Sequence, residues 1–431
     1  MKSNSIKNCM AGGCILLVLF GAGQLFGFEV TKFYEGFKPG DHHLEIRDLG
    51  FEYADQIAAD ESAITSLVET PSGDIYGGTT GRACHLFVFR PFYEQGKLER
   101  QSNNVRHLGK ISGHESIHHS LVTDPNGVIY FGTGLNEIDQ PPISEPPQGV
   151  DGIVKGLWSD TKKRYDKYEG GHLYRYDIAN EKRTWIKNDD ECAAKDLGVP
   201  VPHNGIYAMT INNQRKEIYG LTYPDGRFFV YDINTGKFAD VGAVCEKKIY
   251  AGPDNRTLRN ISRDLICDDN GFVYGSADDA VMFRYDPDKK KIEKLAVKIP
   301  FLYFTAVEVF TKDPGGIIYG GTAEGYLFRF EPARMKVTNL GKPYAQRRIR
   351  ALTVGKNGVI YGLCGQRDNH CRMFTYNVAE SEFDDLGLMR VIREPYYSWS
   401  GIQFDAMLTG RDGIIYAGES ERRSHLFLYY P

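Results

Sequence analysis

The chain has 431 residues, of which 42% are hydrophobic and 13% aromatic, ample for a packed core. A formal charge of −4 comes without any polybasic run, which argues against nucleic acid as a partner.

At the N-terminus Lys2 and Lys7 precede an apolar run from Cys14 to Phe20, followed by Gly21-Ala-Gly23. This is the layout of a secretory signal peptide, too short for a spanning helix, with an uncleaved anchor as the alternative. We assign residues 1–28 to the signal and 29–431 to one mature domain, secreted or periplasmic, with no membrane span after cleavage and expected to be monomeric. Next comes an isolated strand phrase, Leu44-Glu-Ile-Arg-Asp-Leu-Gly50.

From there one sentence of sequence is written seven times. Each copy has an inner strand A, a tight turn, a strand B closing on Tyr-Gly or a variant, a loop, an aromatic strand C and a weaker strand D. The A–B turns include Pro71-Ser-Gly73, Pro125-Asn-Gly127, Asp269-Asn-Gly271, Pro314-Gly-Gly316, Lys356-Asn-Gly358 and Arg411-Asp-Gly413. Glycine after Asn or Asp supplies the positive φ that tight hairpins need. The third copy uses Asn212-Asn-Gln-Arg-Lys216 instead. Strand C reads His85–Pro91, His172–Ile178, Arg227–Ile233, Val281–Pro287, Tyr326–Pro332, Arg372–Val378 and His425–Pro431. Strand D is visible at Val105–Gly109, Phe238–Gly242, Val337–Gly341 and Phe383–Gly387.

Repeats of strand size at a period of roughly 40 to 50 residues predict an all-β fold, a seven-bladed β-propeller. The last copy ends directly after its strand C. The isolated strand at residues 44–50 therefore completes the last blade and closes the ring, removing an open edge. Residues 133–170 form an insertion in blade two, and residues 388–402 a second long connection carrying Tyr396, Tyr397 and Trp399. Either serves as a wall for a ligand site or as ordinary loop variation.

Outside the signal stand Cys84, Cys192, Cys245, Cys267, Cys364 and Cys371. Cys364 and Cys371 flank one hairpin and are the pair to name for a disulfide, with buried thiols the alternative. Asn255-Arg-Thr257 and Asn260-Ile-Ser262 match the glycosylation pattern, relevant only in a eukaryotic secretory pathway. No nucleotide site is expected, because the Gly-x-Gly fragments lack a strand–loop–helix setting.

The first residues of the seven inner strands converge on the axis. Reading one per blade gives Thr65, His119, Tyr207, Arg263, Thr305, Arg350 and Asp405, with His118, His203 and Asn204 upstream and Tyr223 at the end of a B strand. Such a ring either satisfies itself around a water channel or forms a site for an anionic sugar chain. Arginine recognises a carboxylate through paired hydrogen bonds. Neutralising a uronate carboxylate acidifies the neighbouring C5 proton, which a tyrosine or histidine can remove. Tyr207, His119 and Arg263 are the expected catalytic group; Arg350, His203, Tyr223, His118, Asn204 and His172 the expected binders of an acidic polysaccharide or oligosaccharide.

With these residues and the phrase Gly171-His-Leu-Tyr-Arg-Tyr-Asp177, the chain resembles the propeller-type polysaccharide lyases, such as ulvan lyases. It is similar too to the propeller glycosidases that remove rhamnose from glucuronate. The resemblance implies β-elimination carried by two histidines, a tyrosine and an arginine; His119 and Tyr207 match, and His172 or His203 would stand for the second histidine. A propeller glycoside hydrolase, a non-catalytic glycan-binding scaffold and a metal-dependent lactonase or esterase are the alternatives. For the last, Asp264, Asp405, Glu308 and Glu419 would be oxygen ligands for calcium or magnesium. No cofactor and no metal site are expected for the lyase, although a structural or bound divalent cation stays open, for example zinc through Cys192 or Cys364 with His370.

Overall fold

The computed structural model describes residues 44–49, 57–91, 104–136, 166–181, 190–245, 261–299, 306–345, 347–365, 370–393 and 397–431 apart from 422. It also describes the short strands at 93–94, 97–98, 248–249 and 257–258. The assigned signal, most of the blade-two insertion (137–165), Thr305 and the acceptor residues of both glycosylation patterns, Asn255 and Asn260, lie outside the described residues.

Seven four-stranded antiparallel sheets follow one another along the chain, and their inner strands touch in sequence until the seventh meets the first. The fold is a seven-bladed β-propeller. In blade 7 the inner strand Phe404–Thr409 is followed by Ile415–Glu419 and His425–Tyr429, and Leu44–Asp48 forms the outer strand. Its register runs from Leu44 opposite Tyr429 to Asp48 opposite His425. The N-terminal strand thus closes the ring as its sequence predicts. The third copy forms a regular blade (Gly205–Asn212, Glu217–Tyr223, Arg227–Asp232, Lys237–Ala243) despite its unusual turn. Blade 2 has a strand D at Lys195–Gly198 that the sequence reading did not mark.

The repeated words have a steric cause. In five blades the glycine after the strand B tyrosine lies opposite the central phenylalanine of strand C: Gly77 and Phe87, Gly220 and Phe229, Gly275 and Phe283, Gly320 and Phe328, Gly362 and Phe374. A Cβ at Gly220 would come within 2.2 Å of the Phe229 ring. In these five blades the aromatic ring fills the space a Cβ would need; blade 7 has Ala417 opposite Phe427 instead. Tyrosines 76, 219, 274, 319 and 416 are wholly buried between blades, where neighbouring sheets pack their apolar faces together.

Strand D carries a second device. The side chains of Asp196, Asp240, Asn339 and Asp385 each accept the backbone N–H of the glycine two residues on, at 2.8, 3.1, 2.9 and 2.8 Å. These glycines adopt φ between 102° and 128°, a region open chiefly to glycine. In three of these blades the same carboxylate also meets the first residue of strand C: His172 with Asp196, Arg227 with Asp240, Arg372 with Asp385. Blade 7 repeats the pairing between Asp48 and His425 across its closing strand.

Cys364 and Cys371 stand as buried thiols, with no disulfide between them. Among the described residues no helix is long and apolar enough to cross a membrane. The segment before blade 7 forms a hairpin, Arg390–Arg393 with Tyr397–Ser400, and a shorter one, Lys248–Ile249 with Thr257–Leu258, lies between blades 3 and 4. Antiparallel order puts both hairpins, and the end of strand B of blade 2, at the rim where inner strands begin. That rim is the elaborated face.

Candidate active site

Five inner strands open with a β-bulge, and the extra residue is Thr65, Tyr207, Glu308, Arg350 or Asp405. A bulge leaves one residue unpaired and re-aims its side chain, here toward the axis. Blade 4 offers Arg263 just before its short inner strand. Blade 2 differs: between Ile117, packed against Gly78, and Ser120, bonded to Gly132, it inserts both His118 and His119.

The bulge corrects one reading of the sequence. Blade 5 presents Glu308, not Thr305. In five blades the axial residue stands eleven positions before the strand B tyrosine, as in Thr65 and Tyr76, Arg263 and Tyr274, Glu308 and Tyr319, Arg350 and Tyr361, Asp405 and Tyr416. Ala306 resembles the small residue that follows in other blades, but Val309 holds that place here.

The charged members of the ring are tied together. Arg350 Nη2 lies 2.5 Å from Asp405 Oδ1, and Arg263 Nη2 lies 3.4 Å from the same oxygen. Arg263 Nε stands 3.2 Å from Glu308 Oε2, and Arg348 Nη2 reaches both Glu308 oxygens at 3.1 and 2.8 Å. Burial works against the charge on Asp405 and Glu308. The guanidiniums of Arg350 and Arg263 nonetheless hold Asp405 well below the usual carboxylate range, and those of Arg348, Arg263 and Arg350 hold Glu308 below its own. Burial brings Arg350 down to about 10, against the pull of Asp405. Both carboxylates therefore stay ionised.

Against this ion-pair lattice rests an aromatic wall. The Arg263 guanidinium lies 5.7 Å from the Tyr207 ring centre, within cation–π range. The His118 ring stands edge-on to Tyr207 at 4.9 Å, and the Tyr223 ring lies 5.4 Å from Tyr207. His118, Tyr207 and Tyr223 line a recess of water-molecule size with Gly134, Leu135, Gly205 and Ile206. Burial, then the charge of Arg263, lowers the pKa of His118 to about 3 and of His119 to about 4. Both imidazoles are neutral at ordinary pH. His118 Nδ1 and His119 Nε2 are buried without a hydrogen-bond partner among the described residues, the kind of unmet polar group that marks a working site.

The structure thus brings together Tyr207, Tyr223, His118, His119, Arg263 and Arg350. Three other candidates have partners of their own. Asn204 is buried and engaged within blade 3, donating to Asp225 Oδ2 at 3.0 Å and accepting from the Asp225 N–H at 2.8 Å. His203 is exposed on the rim, its Nδ1 2.8 Å from the Tyr168 carbonyl. His172 lies two strands out from the axis, with Asp196 and, ring to ring at 5.0 Å, His114.

Arg348 escaped the sequence reading, because it precedes the bulge instead of occupying it. Glu308 entered that reading only as a metal ligand. The four carboxylates weighed for a metal are dispersed in role. Asp264 accepts the N–H groups of Leu265 and Phe310, each at 2.8 Å. Glu419 takes the Trp399 indole N–H at 3.0 Å on both oxygens and lies 3.0 Å from His425 Nδ1. Among the described residues no three His, Cys, Asp or Glu side chains converge as metal ligands.

No protein-family model matches the chain, and no curated protein does. Solved structures do. Streptogramin B lyase is similar with a TM-score of 0.55 at 10% identity, over 90% of this chain and 98% of its own. Virginiamycin B lyase from Staphylococcus aureus gives 0.56 at 10% identity, over 90% and 99%. The extracellular domain of BT4673 from B. thetaiotaomicron gives 0.51 at 15% identity over 89% of this chain, which spans only 39% of that one. At such identities the likeness is one of fold.

Proposed function

We propose that the axial cluster binds a uronate-bearing glycan and cleaves it by β-elimination, in a secreted or periplasmic enzyme. The observation that carries this reading is the setting of Tyr207, which touches both a guanidinium and a neutral imidazole. The axial guanidiniums offset the sugar carboxylate and so acidify its C5 proton. Tyr207 removes that proton; its electron pair forms the C4–C5 double bond, the bond from C4 to the glycosidic oxygen breaks, and a proton returns to that oxygen. His119, neutral and with Nε2 unengaged, is the partner that relays it, and Tyr223 lines the sugar subsite.

Hydrolysis by a carboxylate pair is less well served. It needs one carboxylic acid kept protonated, whereas Glu308 and Asp405 are both held in the ionised form. Two of the similar structures are lyases by name, so the fold hosts lyases elsewhere.

The test is ultraviolet absorbance during incubation with a panel of uronate polysaccharides, for the wild type and Tyr207→Phe. The expected result is rising absorbance from an unsaturated uronate, reduced at least about a hundredfold in the variant. Reducing sugar released without absorbance would replace this reading by a glycosidase. A folded protein silent in both assays would leave a glycan-binding scaffold or a metal-dependent hydrolase.

A further inference from the structure

We propose that Glu308 is an internal stand-in for the substrate carboxylate, and that Arg348 is the residue a uronate claims on displacing it. The inference rests on the uronate reading and specifies how that site selects its ligand.

The two axial carboxylates are held differently. Asp405 is fixed by Arg350, by Arg263 and by the Gln403 side-chain amide at 3.4 Å. Glu308 has polar contacts among the described residues only with Arg263 and Arg348. A carboxylate held by arginines alone gives way to another carboxylate without leaving a different donor unmet. Among the three arginines Arg348 is the most open, its side chain 29% exposed against 16% for Arg263 and 6% for Arg350. It is therefore the guanidinium of the three most open to an entering ligand.

Its backbone points the same way. Arg348 has φ +67°, a strained conformation for a non-glycine residue that recurs at ligand clamps. The guanidinium Nε is buried and without a hydrogen-bond partner, so the fork has a donor to spare when a second carboxylate arrives. Three guanidiniums face two carboxylates, a balance that favours an added carboxylate, and while Glu308 occupies the fork that attraction is held down.

The experiment is calorimetric titration of sodium glucuronate, with glucose as the neutral probe, into wild type, Glu308→Gln and Arg348→Gln. Thermal melts confirm that each is folded. Glucuronate has no glycosidic bond to break, so binding is read apart from catalysis. Glu308→Gln should bind glucuronate about tenfold more tightly and Arg348→Gln about tenfold more weakly, with glucose unaffected. Should Arg348→Gln fail to fold, Arg348→Lys keeps the charge without the fork and should still weaken binding. Unchanged or weaker binding by Glu308→Gln overturns the inference, as does no binding by any variant. If uronate polymers are eliminated while glucuronate affinity ignores Glu308→Gln, this inference alone fails. If Glu308→Gln tightens binding and no polymer yields unsaturated product, the stand-in survives and the lyase reading fails.

Discussion

Asp405 is ionised in a place where burial alone would keep a carboxyl protonated, because Arg350 and Arg263 face it. Replacing it by asparagine leaves Arg350 buried without its counter-ion, which should cost about 3–5 kcal/mol at pH 7. The pKa of Asp405 is lower folded than unfolded, so its stabilisation is complete above the ordinary aspartate value of about 3.9 and fades as pH falls below it. Denaturant unfolding of wild type and Asp405→Asn should therefore show a gap that narrows between pH 7 and pH 3; a constant gap would count against the ion pair. The two histidines make a kinetic counterpart. With pKa values near 3 and 4, neither should contribute a titration to kcat between about pH 5 and 8. A limb near pH 6.5 that disappears in His119→Gln would show that His119 is not neutral at the axis.

At the scale of strands, the Tyr-Gly phrase and its facing phenylalanine form one packing unit. Gly220→Ala drives a methyl into the Phe229 ring and should destabilise the fold by about 1–3 kcal/mol, read as a lower unfolding midpoint; a neutral result would mean the ring can step aside. This unit made the blades legible in the chain, since sterics repeat its letters wherever the geometry repeats. The axial residues carry no such signature. They occupy a position whose side chain varies from blade to blade, Thr65, Tyr207, Arg263, Glu308, Arg350 or Asp405, so only the register of strand A identifies them. In blade 5, aligning Ala306 in place of Val309 points to Thr305 instead of the axial Glu308. The extra histidine of blade 2 could be seen as a pair in the sequence. That His118 packs edge-on against Tyr207 depends on how blade 2 enters the axis, which hydrophobic patterning does not reveal.

For the ring as a whole, closure depends on the outer strand of blade 7. His425 sits between Asp48 of that strand and Glu419 of its own blade, at 3.2 and 3.0 Å, with the Trp399 ring 4.4 Å away. Burial opposes the charge on His425, yet Asp48 and Glu419 outweigh it and raise its pKa. A raised histidine stabilises fully below its unfolded pKa of about 6.5, and that contribution is lost as pH rises through the folded value. His425→Gln should thus cost about 3 kcal/mol at pH 6 and clearly less at pH 9, compared by thermal melting at each pH; equal losses would refute the charged form. The closure itself was readable from a phrase missing at one end of the chain and present at the other. Its ionic lock was not, because Asp48 and His425 are neighbours only once the ring exists. The register also fixes how closure responds to force. Leu44 and Tyr429 form the pair nearest the two chain ends, so tension between the termini peels the joint one rung at a time instead of sliding it. A ring opened this way yields at low load, as a zip does, and the salt-bridged rung at Asp48 and His425 is the last to part.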